Sequence, residues 1–404
     1  MELNNFKIST GSITTPTGYR ACGVSCGIKQ QGKDLALLVA DVPVTIAAMF
    51  STNRVVAAPV ILSRQIVQKG TAQALIINSG NANACTGQRG LDDAKEMIDL
   101  TARGLNLDPE QVLIASTGVI GVYLPMELIR KGISDACTNL SSTGGKEAVQ
   151  AIMTTDTNPK HFSIEFEIDG RICHIGAIAK GSGMINPNLA TMITVFTSDV
   201  SIQQNLLQEA LAESVAETLN ALTIDGEMST NDSVFLFANG LSGSPKITSK
   251  NENYQKLLAG LKAISLAITK ALAADGEGAT KLVMVMVEQA ASQTEAFKAA
   301  KAIANSMLIK TAIFGKDPNW GRVISAVGAS GVVLNSDAIA IRFADIPVAE
   351  NGAAIVFDKS AMKDALEQKE ISIFISLGVG KFSATVYTCD LTYDYIRINA
   401  EYHT

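Results

Sequence analysis

Apolar and polar residues alternate along several stretches of the chain, and this pattern predicts β-strands. In FSIEFEIDGRICHIGAIAK (162–180), apolar residues at every second position precede Asp169-Gly170, so we predict a hairpin with one buried face. Five further stretches are rich in β-branched and aromatic residues and are also predicted as strands: TMITVFTSDV, TKLVMVMVEQ, AIAIRF, ISIFISLGV and KFSATVYTCDLTYDYIRIN.

Two stretches have the spacing of amphipathic helices. In SIQQNLLQEALAESVAETLNAL (201–222), leucines and a valine recur at helical intervals, and Ser201 with Gln204 predicts a capping box at the helix start. The second helix has one apolar stripe and ends at Asp275-Gly276-Glu277-Gly278; the stripe is Leu257, Leu261, Ile264, Ile268 and Leu272.

Strands and helices are mixed throughout the 404 residues, without a fixed-period repeat or a low-complexity linker. The pattern therefore predicts an α/β or α+β fold. A chain of this length exceeds the size of one growing core, so one large or two moderate domains are expected. We place an approximate domain boundary between about residues 285 and 330. The chain then consists of a core domain over 1–285 and a smaller α/β domain over 286–404.

Composition narrows the classes of function. With a formal charge of −6, the chain lacks the basic surface that would attract nucleic acid or anionic lipid. The six cysteines form no CxxC pair and no metal-ligand spacing, so neither a disulfide scaffold nor a metal site is expected. The opening MELNNFKIST has no apolar signal-peptide region, and we expect a cytoplasmic protein.

Familiar catalytic motifs are missing from the sequence. It contains no GxxxxGK[ST], HExxH or GxSxG, and its three histidines (His161, His174 and His403) offer little for nucleophile activation. A different candidate base is the α-amine at the N-terminus of a polypeptide chain, whose pKa of about 7.7–8.0 lies well below that of the lysine side chain. Threonine with such an amine is a known nucleophile–base pair, and cutting the Ala190–Thr191 bond would create one. From the pattern alone, Thr191 is an ordinary strand residue after a Gly/Asn/Pro loop.

Resemblance to a family changes that reading. The segment KGSGMINPNLATMITVFTSD resembles the cleavage segment of the ornithine acetyltransferase family, also called glutamate N-acetyltransferase, which acts in arginine biosynthesis. Seven further stretches resemble the signatures of that family in the same order: INSGNANACTG, STGVIG, IMTTDTNPK, TIDGEMSTNDS, DGEGATK, DPNWGR and INAEYHT. The resemblance implies a helix–sheet–sheet–helix sandwich like that of N-terminal-nucleophile hydrolases, with a smaller C-terminal α/β domain.

The resemblance also implies a reaction. Self-cleavage between Ala190 and Thr191 would give fragments 1–190 and 191–404, and Thr191 would then act as nucleophile with its own amine as base. Acetyl would pass from N2-acetylornithine to L-glutamate through an acetyl-threonine ester. Thr117 and Gly118 would form the oxyanion hole, with a hydroxyl from one and a backbone N–H from the other. No cofactor or metal is implied, and the use of acetyl-CoA as a further donor is left open.

Five positions resemble the family's substrate contacts besides Thr191: Thr154, Lys180, Glu277, Asn399 and Thr404. Lys180 can pair with the α-carboxylate, and Glu277 can meet the ammonium tail of ornithine. How one pocket accepts both a cationic and an anionic tail does not follow from the sequence. The family suggests two copies of each fragment, a heterotetramer. A self-processed amidohydrolase or aminopeptidase with the same nucleophile is the alternative, and a binding protein without catalysis is the third reading.

Overall fold

The chain has a mixed α/β fold, as the sequence predicts. The structure, a computed structural model, describes residues 6–186 and 192–401. By internal contacts these residues divide into two compact units, the first built from 6–220 and 228–268 and the second from 221–227 and 269–401. The sequence-based boundary at 285/286 lies inside a strand of the second unit (Leu282–Ala290).

The first unit contains one eight-stranded mixed sheet. Its strands are β1 (Tyr19–Val24), β2 (Leu35–Phe50), β3 (Thr71–Asn81), β4 (Val112–Val119), β5 (Lys160–Ile168), β6 (Arg171–Lys180), β7 (Ile193–Ser198) and β8 (Ser233–Ala238). The order is β4-β3-β2-β8-β7-β6-β5, with β1 paired to β2. Two of the strand pairs are parallel, β3 with β4 and β7 with β8. The loops that follow the two strands of such a pair therefore leave the sheet at the same edge.

Helices cover both faces of this sheet. They are α1 (Ala58–Val67), α2 (Gly87–Leu105), α3 (Met126–Thr138), α4 (Gly145–Ile152), α5 (Gln204–Glu217) and α6 (Glu252–Ala274). Residues of α1 to α4 share one apolar cluster with Ile178 of β6. Ile175, three positions earlier and therefore on the opposite face, lies so close to α6 that a methyl group at Gly260 would come within 3.3 Å of it.

The predicted hairpin is confirmed, since β5 and β6 pair in register and turn at Asp169-Gly170. The stripe on α6 is also confirmed, because its five apolar residues are buried. α6 is long and apolar enough to cross a membrane by length and composition, but 67% of its most apolar window is buried inside the protein, as in a core helix.

The predicted capping box at Ser201 is wrong. α5 begins at Gln204, and its N-cap residue is Gln203, which makes no side-chain capping bond. Ile202 instead forms a parallel bridge with Ile247, and the Gln203 N–H donates to the Ile247 carbonyl. This pairing keeps residues 201–203 out of the helix.

The second unit contains a six-stranded sheet and five helices. The strands are β9 (Leu282–Ala290), β10 (Ala340–Phe343), β11 (Ile346–Glu350), β12 (Ala353–Ala354), β13 (Glu370–Ser376) and β14 (Phe382–Cys389), in the order β12-β11-β10-β13-β9-β14. The helices are α7 (Gln293–Ala304), α8 (Met307–Phe314), α9 (Trp320–Ala329), α10 (Lys359–Glu367) and α11 (Tyr393–Glu401). Valines of β9 pack with α7 and α9 in one core.

The strand predicted over KFSATVYTCDLTYDYIRIN is only half right. β14 ends at Cys389, and α11 begins at Tyr393. The Thr392 hydroxyl accepts hydrogen bonds from the N–H groups of Asp394 and Tyr395 and donates to the Gly278 carbonyl. This cap at the helix start prevails over the β-branched and aromatic residues that follow.

Candidate active site

Thr117 and Gly118 lie near the end of β4, beside the end of β3. Gly118 has a φ of +132°, and a Cβ on it would come within 2.3 Å of the Gly80 carbonyl carbon. Such a contact is impossible for a side chain, so glycine is required here both by its dihedral angle and by the neighbouring backbone. The β3–β4 register shifts at Gly80 and Asn81, where the two strands stop pairing regularly.

Lys180, the last residue of β6, reaches Thr117. Its Nζ donates to Thr117 Oγ1 at 3.3 Å, and the residue is only 9% exposed. A hydroxyl that accepts from an ammonium group keeps its own hydrogen for another acceptor, and the adjacent positive charge polarises that O–H bond. The structure thus brings together two of the predicted residues that are 63 positions apart in sequence.

Asp156, which the sequence analysis did not single out, connects Thr154 to this pair. One carboxylate oxygen accepts from the Thr154 N–H at 3.0 Å, and the other accepts from the Gly181 N–H at 2.7 Å. Lys160 donates to the same carboxylate at 2.7 Å, and the two side chains are 2% and 0% exposed. Asp156 therefore fixes the loop of Thr154 to the residue that follows Lys180.

The charges around Asp156 decide its protonation state. Burial alone would raise its pKa, but Lys160 and Lys180 together with the hydrogen bonds lower the pKa to about 2. The carboxylate is consequently ionised at neutral pH. The charges of Asp156 and Lys180 also act on Lys29. Burial lowers the pKa of the Lys29 ammonium group, and its Nζ donates a hydrogen bond to the Met153 carbonyl.

Buried asparagines connect three of the motifs. Asn231 donates to the carbonyls of Ala82 and Ser116, while Asn78 donates to the Asn81 carbonyl and accepts from the Ser116 hydroxyl. These bonds join the segments INSGNANACTG, STGVIG and STNDS at the ends of β3 and β4. The amides satisfy carbonyls where regular strand pairing ends.

Asp232 is a further buried carboxyl of the first unit. It is 3% exposed, and its Oδ2 has no hydrogen-bond partner among the described residues. Burial raises its pKa well above the ordinary value, and the nearby Ser229 and Lys180 lower it only in part. Pattern reasoning missed this residue, since a carboxyl in a TNDS sequence gives no sign of its burial.

In the second unit, Glu277 and Asn399 are brought together. Asn399 Nδ2 donates to Glu277 Oε2 at 2.7 Å, and Glu277 is 8% exposed although it lies in a Gly-flanked turn. Asn399 is on α11, so the helix that the strand pattern concealed positions this amide. Ala190, Thr191 and Thr404 lie outside the described residues.

Residues 20–404 match the ArgJ family. The arginine biosynthesis bifunctional protein of Caldanaerobacter subterraneus is 45% identical over 402 residues, which cover 98% of this chain and all of that protein. The Synechocystis protein of the same name is 43% identical over the whole length of both chains. A solved ornithine acetyltransferase from Mycobacterium tuberculosis, in complex with ornithine, is 37% identical, covers 46% of this chain and 100% of that chain, and has a TM-score of 0.44.

Proposed function

The chain belongs to the ArgJ family, and from this premise we propose that it transfers acetyl from N2-acetylornithine to L-glutamate through an acetyl ester on Thr191. In the first half-reaction the Thr191 hydroxyl attacks the acetyl carbonyl, its α-amine takes the proton, and ornithine leaves. In the second, the glutamate amine attacks the ester, giving N-acetylglutamate and restoring the hydroxyl.

The contact between Lys180 and Thr117 carries the proposal. Attack on a carbonyl places negative charge on oxygen, and a preorganised donor there stabilises the transition state. Thr117 has its hydroxyl oxygen held by a buried ammonium group, so that its hydrogen can serve the oxyanion. Gly118 follows directly, at a position where its backbone is held against β3, and we assign its N–H as the second donor.

We assign the remaining residues to substrate recognition. Lys180 and Thr154 would hold the α-carboxylate of the acetylated amino acid, with Asp156 fixing both segments. Glu277, supported by Asn399, would hold the cationic tail of ornithine. The relatives are called bifunctional, which supports acetyl-CoA as a second donor. We also propose that two copies of each fragment assemble and that Thr404 contacts substrate.

Products and fragment masses test this proposal. Incubation with N-acetylornithine and glutamate should give N-acetylglutamate and ornithine, whereas a hydrolase would release acetate without needing glutamate. Intact mass and N-terminal sequencing should show a new chain beginning at Thr191, and Thr191→Ala should remain uncut and inactive. Release of CoA from acetyl-CoA in the presence of glutamate would establish the second donor.

A matched pair of threonine variants tests the oxyanion assignment. Thr117→Ala should lower kcat by about 10²–10³-fold, the usual effect of one lost donor. Thr71→Ala, at an exposed position at the start of β3, should leave kcat unchanged. A fully active single polypeptide, without a terminus at Thr191, would overturn the mechanism.

A further inference from the structure

Lys29 is a half-buried lysine to which the proposed function gives no role. It lies in the loop between β1 and β2, and its Nζ donates a hydrogen bond to the Met153 carbonyl at 2.9 Å. Met153 directly precedes Thr154, one of the residues assigned to the α-carboxylate of the substrate. The bond therefore links Lys29 to a segment that we expect to recognise substrate.

A buried carboxylate fixes the loop that carries Lys29. Asp34 is 0% exposed, and its side chain accepts hydrogen bonds from the backbone N–H groups of residues 26–29 at 2.7–3.0 Å. The Ser79 N–H donates in turn to the Asp34 carbonyl at 2.9 Å, which attaches the loop to the end of β3. Hydrogen bonds from backbone N–H groups to a carboxylate are strong, so together they hold the backbone of Lys29 in place.

The aliphatic stem of Lys29 packs against the oxyanion segment. A Cβ at Gly80 would come within 2.8 Å of Lys29 Cγ, so the stem fills the space beside this glycine. Gly80 also lies against Gly118, since a Cβ on Gly118 would come within 2.3 Å of the Gly80 carbonyl carbon. Lys29 is consequently in contact with the strand end that supports the proposed oxyanion donors.

The end of α4 receives two donors from this region. Ser79 Oγ donates to the Ala151 carbonyl at 2.6 Å, and Lys29 donates to Met153, which is the C-cap residue of α4 and has an extended backbone. The last carbonyls of a helix have no partner within it and carry partial negative charge, so an ammonium group is favourable there. Ser79 and Lys29 thus hold the end of α4 and, with it, the start of the segment that contains Thr154.

These contacts close a ring of residues in the first unit. Each member bonds to the next, packs against it or adjoins it in the chain: Thr117, Lys180, Gly181, Asp156, Thr154, Met153, Lys29, Gly80 and Gly118. Asp156 and Lys180 join Thr154 to Thr117 along one part of the ring. Lys29 joins the same two segments by a second route, which does not pass through Lys180.

We propose that Lys29 is a positioning residue for recognition of the α-carboxylate, which holds Thr154 in a fixed place relative to Thr117 and Gly118. This inference rests on the proposed function. N2-acetylornithine and L-glutamate differ in their tails, but both carry an α-carboxylate. Because the carboxylate takes no part in the bond changes, its recognition contributes equally to the ground state and the transition state, and its loss raises KM rather than lowering kcat.

Lys29→Met tests the proposal, because methionine keeps a stem against Gly80 but removes the ammonium group. Wild type and variant are expressed as the full chain, and initial rates are measured while each substrate is varied in turn. We expect the KM for N2-acetylornithine and the KM for glutamate both to rise about tenfold or more, as for the loss of a hydrogen bond from a charged group, with kcat within threefold of wild type. Lys29→Arg retains a cationic donor, so both of its KM values should lie nearer to wild type.

Lys33→Met is the matched control. Lys33 lies in the same loop, and its Nζ donates to the Gly23 carbonyl at 2.7 Å, but Gly23 is not a member of the ring. The variant removes the same chemical group and the same kind of bond, so a general effect on folding would appear in both proteins. Both KM values should stay at the wild-type level in Lys33→Met, and thermal midpoints check that the variants are folded.

The outcomes separate this inference from the proposed function. A wild-type protein that forms no N-acetylglutamate contradicts the proposed function. With an active wild type, the role of Lys29 is overturned if folded Lys29→Met keeps both KM values within twofold, raises only one of them, or loses kcat alone. An equal rise in Lys29→Arg and Lys29→Met overturns it as well. If Lys29→Met does not fold, Lys29→Gln, with a shorter and neutral side chain, is measured in the same way, and normal KM values in that variant overturn the proposal.

Discussion

Replacing Asp156 by asparagine should destabilise the first unit strongly. Asp156 and Lys160 form an ion pair whose side chains are 0% and 2% exposed. The asparagine variant leaves the Lys160 ammonium buried without its counterion, and it weakens the bonds to the N–H groups of Thr154 and Gly181. Breaking one side of a buried pair costs about 3–5 kcal/mol, because the remaining charge stays desolvated.

The lowered pKa of Asp156 gives a second measure of how strongly its ionised form stabilises the folded protein. The difference between its ordinary value of 3.8 and a folded-state value of about 2 corresponds to about 2 kcal/mol. Because the folded-state pKa is lowered, this stabilisation is present above pH 3.8 and is lost as the pH falls through about 2. At pH 3, about 1 kcal/mol of it is left.

Urea denaturation of wild type and Asp156→Asn measures both quantities. At pH 7 we expect the free energy of unfolding to fall by about 3 kcal/mol, and the gap between the two proteins to narrow between pH 4 and pH 3. Asp156→Asn combined with Lys160→Met should be less destabilised than the single variant, since no charge is then left unpaired.

Asp41→Asn provides the control for the ion pair. Arg20 and Asp41 pair at 2.9 Å with both side chains nearly half exposed, so this change should cost no more than about 1 kcal/mol. If Asp156→Asn behaved like Asp41→Asn, or if its effect did not shrink in acid, the assignment of Asp156 as an ionised anchor would be wrong.

Three further changes test other parts of the structure. Gly118→Ala should lower stability and should lower kcat at least about 100-fold, because its Cβ would lie 2.3 Å from a backbone carbon of β3. Gly121 also has a positive φ, of +81°, but its Cβ would meet open space, so Gly121→Ala should keep kcat. Glu277→Gln keeps an acceptor for Asn399 but removes the charge, so the KM for N-acetylornithine should rise about tenfold or more in steady-state assays with little change in thermal midpoint. Burial lowers the pKa of Lys301 to about 7, so stability should rise with pH from about 7 towards 10, and Lys301→Met should flatten that rise in unfolding midpoints.

The local sequence pattern was sufficient to predict the elements in which all side chains of one face share a single environment. The β5–β6 hairpin and the stripe of α6 follow from alternation and helical spacing, which report directly on a buried face. The pattern failed where a bond from elsewhere in the chain decided the conformation. Ile247 holds residue 202 extended before α5, and the Thr392 hydroxyl starts α11 within a β-like sequence.

The candidate site was predictable by resemblance but not by spacing. Thr117 and Lys180 are 63 positions apart, and Glu277 and Asn399 are 122 apart, so their contacts exist only in the folded chain. Asp156 stood inside a quoted motif without being selected, because sequence does not show which carboxylate faces buried lysines. Asp232 was missed for the same reason.

The two buried carboxyls near Lys180, Asp156 and Asp232, have pKa values shifted in opposite directions because their surroundings differ. Burial raises the pKa of Asp156, but Lys160, Lys180 and the Gly181 N–H lower it to about 2, so this carboxylate stays ionised and holds segments in place. Asp232 has a carboxyl oxygen without a hydrogen-bond partner among the described residues, and burial raises its pKa, which favours the neutral acid. Groups whose pKa values are driven apart in this way serve different roles. Their asparagine variants should accordingly differ in stability: Asp156→Asn should lose it, and Asp232→Asn should keep it.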